Sequence, residues 1–256
     1  MSQKSYYKGL FLQYCVLGLI VLVSPSAGLA EGVYNFLTEE ELYGDFEEEP
    51  TVVRDPLESV NRLTFKFNDF IYMNVVEHIA QGYQKVTPDA VERGALNFFK
   101  NLGYPARLVG NLLQGRMQGA WLETERFTVN TTLGVAGVFP VASRFEGLQP
   151  LPSEDMGQAF GAWGIGEGPY LVLPLLGPSN VRDLFGLVGD RAVNPLKEPY
   201  SVINDSAVRT ASSLTNFVVK SPTLMRTYTQ LKDGAFDPYS SMKNGYSQMR
   251  RVMIEE

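Results

Sequence analysis

The sequence is poor in reactive side chains. Its one cysteine, Cys15, lies within the first thirty residues, so the chain beyond Ala30 has no disulfide, no thiol nucleophile and no thiolate metal site. Its one histidine, His78, stands beside Glu77 in an apolar stretch with no second imidazole to share a metal or relay a proton. No Gly-x-Ser-x-Gly elbow, Walker loop, His-Glu-x-x-His helix or calcium-loop pattern occurs, which removes the familiar hydrolase, nucleotide and metal chemistries. Positive charge is not in excess: 22 Lys and Arg stand against 28 Asp and Glu, a net charge of −6, so no basic face for nucleic acid is expected. After Val23 no apolar run reaches the roughly 18 residues that a membrane-crossing helix requires.

What is present begins with an export signal over residues 1–30. Lys4 and Lys8 make a basic start, Leu10–Val23 is apolar, and Gly28 and Ala30 supply the small residues of a cleavage site. Residues 31–54 read as an acidic flexible linker, because eight carboxylates fall between Glu31 and Glu49. From Pro50 onward 20 acidic and 20 basic residues balance, and the body of the chain is neutral.

The body reads as mainly α. Asp55-Pro56-Leu57-Glu58 has helix-start chemistry, with Asp55 as the capping residue, and predicts a helix to about Gly82. At 100° per residue Val60, Leu63, Phe67, Phe70, Ile71, Val75 and Ile79 share one side of it, and so broad an apolar face suits a core helix or one seated in a membrane interface. Further helices are expected from Pro88 to Gly103, from Pro105 to Gly115, over 116–133, from Pro178-Ser179 towards Pro195, over Ala207–Val219 and Leu224–Lys232, and from Tyr239 onward. Between them Gly161–Asp183 is nearly uncharged, with Gly161, Gly164, Gly166 and Gly168 followed by Pro169, Pro174 and Pro178; those residues exclude a long helix or a central strand. An irregular segment this apolar belongs in the interior, against a cavity or against lipid. The remaining catalytic option is a carboxylate pair, Asp155 with Glu167 beside Tyr170, working as general acid and base.

The order of several blocks is familiar. Asp55-Pro56-Leu57-Glu58 with Asn61-Arg62, Asn97-Phe98 with Asn101-Leu102, Leu113-Gln114-Gly115, Arg126-Phe127 with Asn130-Thr131, Gly157-Gln158, Trp163-Gly164-Ile165-Gly166, Gly168-Pro169-Tyr170-Leu171-Val172-Leu173-Pro174, Arg182-Asp183 and Asp237-Pro238-Tyr239 resemble the MlaA/VacJ family, from about Asp55 to Tyr246. The domain of that resemblance is 55–246, with 247–256 as the end of the last helix and a tail.

The resemblance implies a ring-like assembly of amphipathic helices lying in one leaflet, the periplasmic leaflet of a Gram-negative outer membrane. It implies a passage for phospholipids from the outer leaflet to a soluble periplasmic carrier, with a trimeric porin as neighbour, no cofactor, and lipid asymmetry as the outcome. By position it assigns Phe65, Phe67, Asn68 and Asp69 to control of the passage and Trp163, Gly164, Gly166, Gly168, Pro169 and Tyr170 to its wall or to the shape of the ring. Arg182 and Asp183 are placed either against a zwitterionic headgroup or in an ion pair at a helix start. One feature departs from the family pattern. Cys15 precedes most of the apolar run, so a lipidated cysteine after the cleavage point is not expected and anchoring falls to the apolar surface itself. A protein that binds porin or carrier without conducting lipid is the alternative of another class.

Overall fold

The structure, a computed structural model, describes residues 53–197 and 201–255. The export signal, Cys15 and all of the acidic linker up to residue 52 lie outside the described residues.

The first helical run is unbroken over 58–86 and has three parts: α1 (Glu58–Ile71), a π-helical turn (Tyr72–Val76) and α2 (Glu77–Val86). Asp55 does not cap it. Leu57 occupies the N-cap position without a side-chain bond, and the Asp55 carboxylate instead accepts from Asn61 Nδ2 at 2.8 Å and is bonded to Tyr239 Oη. The run passes Gly82 and stops at Thr87, which is extended because Pro88 excludes the helical region for the residue before it. α3 (Asp89–Leu102), α4 (Tyr104–Leu113) and α5 (Met117–Thr132) follow as expected, broken at Gly103 and Gly115.

Two elements were not legible in the sequence. α6 (Met156–Ala162) opens just before the glycine-rich stretch, capped by Asp155, whose side chain accepts from the Gln158 N–H at 2.8 Å. Beyond it the stretch forms an antiparallel hairpin, β1 (Tyr170–Leu173) and β2 (Gly177–Asn180), with Tyr170 opposite Asn180 and Val172 opposite Pro178. In a two-stranded ribbon each strand is an edge, so Pro178 is tolerated where a central strand would reject it. Pro178-Ser179 therefore belongs to a strand. The helix after it, α7 (Val181–Val193), is started by Asn180, whose side chain accepts from the Asp183 N–H.

The two short helices expected over 207–232 are one, α8 (Ser206–Asp233), running through Pro222. Proline has no N–H to give the carbonyl four residues back. Here that carbonyl, of Val218, accepts from the Ser221 hydroxyl at 2.8 Å instead. α9 (Pro238–Glu255) closes the chain. Its Tyr239, Met242, Tyr246, Met249 and Met253 join Ile71, Tyr72 and Val76 of the first run, Tyr170, Val172 and Leu176 of the hairpin and Phe217, Leu224, Met225 and Tyr228 of α8 in one core.

The broad apolar face of α1 is really two faces. Ile71 is buried, and Val75 in the turn and Ile79 beyond it pack against the core, whereas Val60, Leu63, Phe67 and Phe70 point outward, Leu63 with 71% of its surface exposed. The inward line of α1 is marked by two asparagines, Asn61 and Asn68, each only 2% exposed.

Candidate functional site

Asn61 and Asn68 are seven residues apart, two helical turns, and so stand on the same side of α1. Each grips the backbone of the hairpin with both ends of its amide. Asn61 Nδ2 donates to the Tyr170 carbonyl at 3.0 Å while its Oδ1 accepts from the Val172 N–H at 2.9 Å. Asn68 Nδ2 donates to the Leu173 carbonyl at 2.9 Å and its Oδ1 accepts from the Leu175 N–H at 2.7 Å. Tyr72 Oη adds a bond to the Leu175 carbonyl at 2.9 Å. These side chains take the place of a third strand along the outer edge of β1. They also hold Leu175 in a left-handed conformation, φ 63°, that a leucine seldom adopts unaided.

A second set of contacts ties the other side of the hairpin to the end of the chain. Arg250 of α9 reaches Asp155 at 2.6 Å and Asp183 at 2.9 Å, joining the first turns of α6 and α7. Asp183 also accepts from Arg182 Nε at 2.9 Å, Asn180 Nδ2 at 2.8 Å and Tyr246 Oη at 2.5 Å. Burial alone pushes the Asp183 carboxyl up, but the guanidiniums of Arg250 and Arg182 outweigh it and hold the group below the ordinary aspartate value. Burial and the facing Asp183 charge push the Tyr246 phenol well up. Gly157 is needed beneath this cluster, since a Cβ there would lie 2.7 Å from both Arg250 Nη2 and Asp183 Oδ1. Between hairpin, α7 and α9 is a cavity of about 50 Å³ whose lining includes Leu173, Leu176 and Pro178 as well as Asp155, Asp183 and Arg250. Its lining is part apolar and part charged, and it has room for a few waters.

The residues singled out in the sequence divide between interior and surface. Asn68, Tyr170, Arg182 and Asp183 are buried. Arg182 and Asp183 form an interior ion pair at the start of α7, so any meeting with a headgroup requires that network to open. Phe65 packs edge-on against Tyr239 with ring centres 5.8 Å apart. Asp69 accepts from Tyr228 Oη at 2.8 Å and from Lys232 Nζ at 2.5 Å. Phe67 faces outward on the apolar stripe. Trp163, Gly164, Gly166, Gly168 and Pro169 form an exposed loop between α6 and β1, pinned where Trp163 Nε1 donates to the Leu113 carbonyl at 2.8 Å and where the Val181 N–H donates to the Pro169 carbonyl. Gly164 and Gly168 have φ of +82° and +69°, and Gly166 has open space where a Cβ would be. The carboxylate pair considered for acid and base work is otherwise engaged. Asp155 caps α6 and pairs with Arg250, and Glu167 lies 3.5 Å from Arg251. Among the described residues no group of three or more His, Cys, Asp or Glu is arranged to hold a metal.

Asn61 and Arg250 were not marked as functional in the sequence. For Asn61 a signal exists: two asparagines at a heptad spacing on the buried side of an apolar helix must satisfy their amides on backbone. For Arg250 there is none, because its partners are 95 and 67 residues away.

The family model described as MlaA lipoprotein matches residues 53–253. The chain belongs to the MlaA lipoprotein family. Its relatives include an uncharacterized protein of Rickettsia prowazekii (strain Madrid E), 31% identical over 206 residues that make up 79% of each chain. The Intermembrane phospholipid transport system lipoprotein MlaA of Escherichia coli (strain K12) is 34% identical over 138 residues, 53% of this chain and 55% of that one. A solved structure, described as bearing on the structural basis for maintenance of bacterial outer membrane lipid asymmetry, superposes with a TM-score of 0.65 at 26% identity, covering 78% of this chain and 99% of that one. The mainly helical MlaA fold is therefore the fold of this chain.

Proposed function

We propose that this MlaA-family chain moves phospholipids within the outer-membrane system: it sits as a ring in the periplasmic leaflet, accepts phospholipids displaced into the outer leaflet and passes them to a soluble periplasmic carrier, beside a trimeric porin. The relatives named for intermembrane phospholipid transport support the substrate class. One observation of this structure carries the membrane placement. Val60, Leu63, Phe67 and Phe70 form an outward apolar stripe on α1, while among the described residues no helix is long and apolar enough to cross a bilayer. A helix with one face in the core and the other exposed and apolar is suited to lie in a membrane interface rather than to span the bilayer.

In this reading the hairpin and α1 form the control element, with Phe65, Asn68 and Asp69 holding it from within and Phe67 meeting lipid. The loop from Trp163 to Pro169 borders the route. The chain needs no chemistry of its own, because a passage lowers the barrier to moving a headgroup through hydrocarbon and the driving energy comes from elsewhere in the system.

The experiment is photo-crosslinking in intact cells from Phe67, Trp163 and Gly166, with the exposed Glu146 as control. Gly166 is preferable to Gly168 because a side chain at Gly168 would strain its backbone and come within 3.2 Å of Val181. Phospholipid adducts at these positions and not at Glu146 are expected. Protein adducts alone, from folded chain in the outer membrane, would replace lipid conduction with the adaptor reading.

A further inference from the structure

The π-helical turn Tyr72–Val76 interrupts an otherwise regular helix, and it lies between the two tasks of that helix. On its N-terminal side Asn61 and Asn68 hold the hairpin. On its C-terminal side α2 packs along α8. The Glu77 N–H donates to the Tyr72 carbonyl five residues back, one more than in an α-helix.

The extra residue sets the phase between the halves. Asn68 and Ala80 are twelve residues apart, which at 3.6 residues per turn leaves them about 120° out of line. Taking up one residue in a wide turn removes about 100° of that. Both residues are buried, Ala80 at 3% exposure, so the π-turn brings the residue that grips the hairpin and a core-facing residue of α2 to within about 20° of one line.

We propose that this turn is a register switch controlling whether the hairpin is docked. In the second state Tyr72–Val76 is α-helical, the residue released is taken up at the start near Leu57, which has no side-chain cap, and α1 is rotated by about 100° against α2. Asn61 and Asn68 then leave the hairpin, and the Tyr170 carbonyl and the Val172 and Leu175 N–H groups lose their partners together. A two-stranded ribbon is not stable by itself, so it leaves its seat on α1. The latch for the docked state lies at the start of the turn and just before it: the Tyr72 ring meets Tyr228 edge-on at 4.9 Å, and Asp69 holds Tyr228 and Lys232. The Asp69 and Lys232 side chains are 31% and 30% exposed, so water and ions reach the latch.

The switch stands on this geometry; its consequence for lipid movement rests on the proposed passage. The test is site-resolved hydrogen exchange on the full mature chain in a lipid nanodisc. Deleting Val75 removes the extra residue, and the Val172 and Leu175 amides are expected to exchange at least about tenfold faster while Leu224 and Met225 in α8 keep their protection. Inserting an alanine between Ile71 and Tyr72 of the deleted chain should restore it. Protection of Val172 and Leu175 unchanged by the deletion overturns the switch. Should the deleted chain fail to fold, the intact one decides: Glu77, Val172 and Leu175 open together about tenfold faster than Leu224, or they exchange at the Leu224 rate and the switch is wrong. Outer-leaflet phospholipid is measured in the same strains. A freed hairpin with normal lipid asymmetry supports the switch and counts against the passage.

Discussion

At the scale of single residues, the side chains that matter most here are polar ones whose partners are backbone or buried charge. Replacing Asn61 with alanine strands the Tyr170 carbonyl and the Val172 N–H in the interior, at a cost of about 2 to 4 kcal/mol in a denaturant titration. Asn61→Asp should be as damaging, since a carboxylate still accepts from Val172 but faces the Tyr170 carbonyl with no hydrogen to give. Arg250→Met should cost about 3 to 5 kcal/mol, because it leaves Asp155 and Asp183 buried together without their shared cation. Asp183 also fixes the sign of the acid response. Its folded pKa lies below the unfolded value, so its stabilising effect is complete above about pH 4 and is lost as pH falls through the folded value. Thermal midpoints followed downward from pH 6 should decline in the parent chain, and less steeply in Asp183→Asn measured against its own starting point.

At the scale of elements, α8 shows how a helix survives proline. The Ser221 hydroxyl takes the Val218 carbonyl that Pro222 cannot. A double-mutant cycle checks this: Ser221→Ala should cost about 1 kcal/mol in the parent and close to nothing once Pro222→Ala has restored the N–H. Equal costs in both backgrounds would show that the serine does something else. The hairpin depends on α1 in a comparable way, its open edge being covered by side chains of a helix rather than by a strand. The sequence shows the helices of 89–102, 104–113, 117–132 and 238–255 well, because apolar spacing and the breaks at Gly103, Gly115 and Pro238 are local signals. It hides the hairpin, because glycine and proline mark where regular structure is unlikely without saying what an edge partner can stabilise.

At the scale of the whole molecule, the interior is closed by contacts between the ends of the described chain. Arg62 of α1 meets Asp237 at 2.9 Å and lies over the Tyr239 ring at 4.3 Å, where α9 begins. Its guanidinium is the first cause that holds the Asp237 carboxyl down at about 2. Among the described residues the outside carries exposed apolar side chains: Val60, Leu63 and Phe67 of α1, Met117 and Trp121 at the start of α5, and Trp163. Placing a glutamate at Leu63 should leave the helical circular dichroism unchanged, since that position is outside the core, and should move the chain from the membrane to the soluble fraction on flotation with outer-membrane lipid vesicles. Retention in the floating fraction would assign the anchoring to another surface.

The sequence by itself determined the helical class, most helix boundaries, the absence of a thiol beyond Ala30 and, through blocks spread from Asp55 to Tyr246, the family. These follow from periodicity, composition and local start and stop signals, which act within a few turns. Only the tertiary structure decided which half of each apolar helix is core and which is bare. It alone joined Asn61 and Asn68 to a hairpin more than a hundred residues later, turned Asp155, Asp183 and Arg250 into one buried network, and revealed the π-turn that brings α1 and α2 into phase. The physical reason is the same in each case. A helix has a single period but several neighbours, and the meaning of an apolar or polar residue on it is set by whichever neighbour the fold brings to that side.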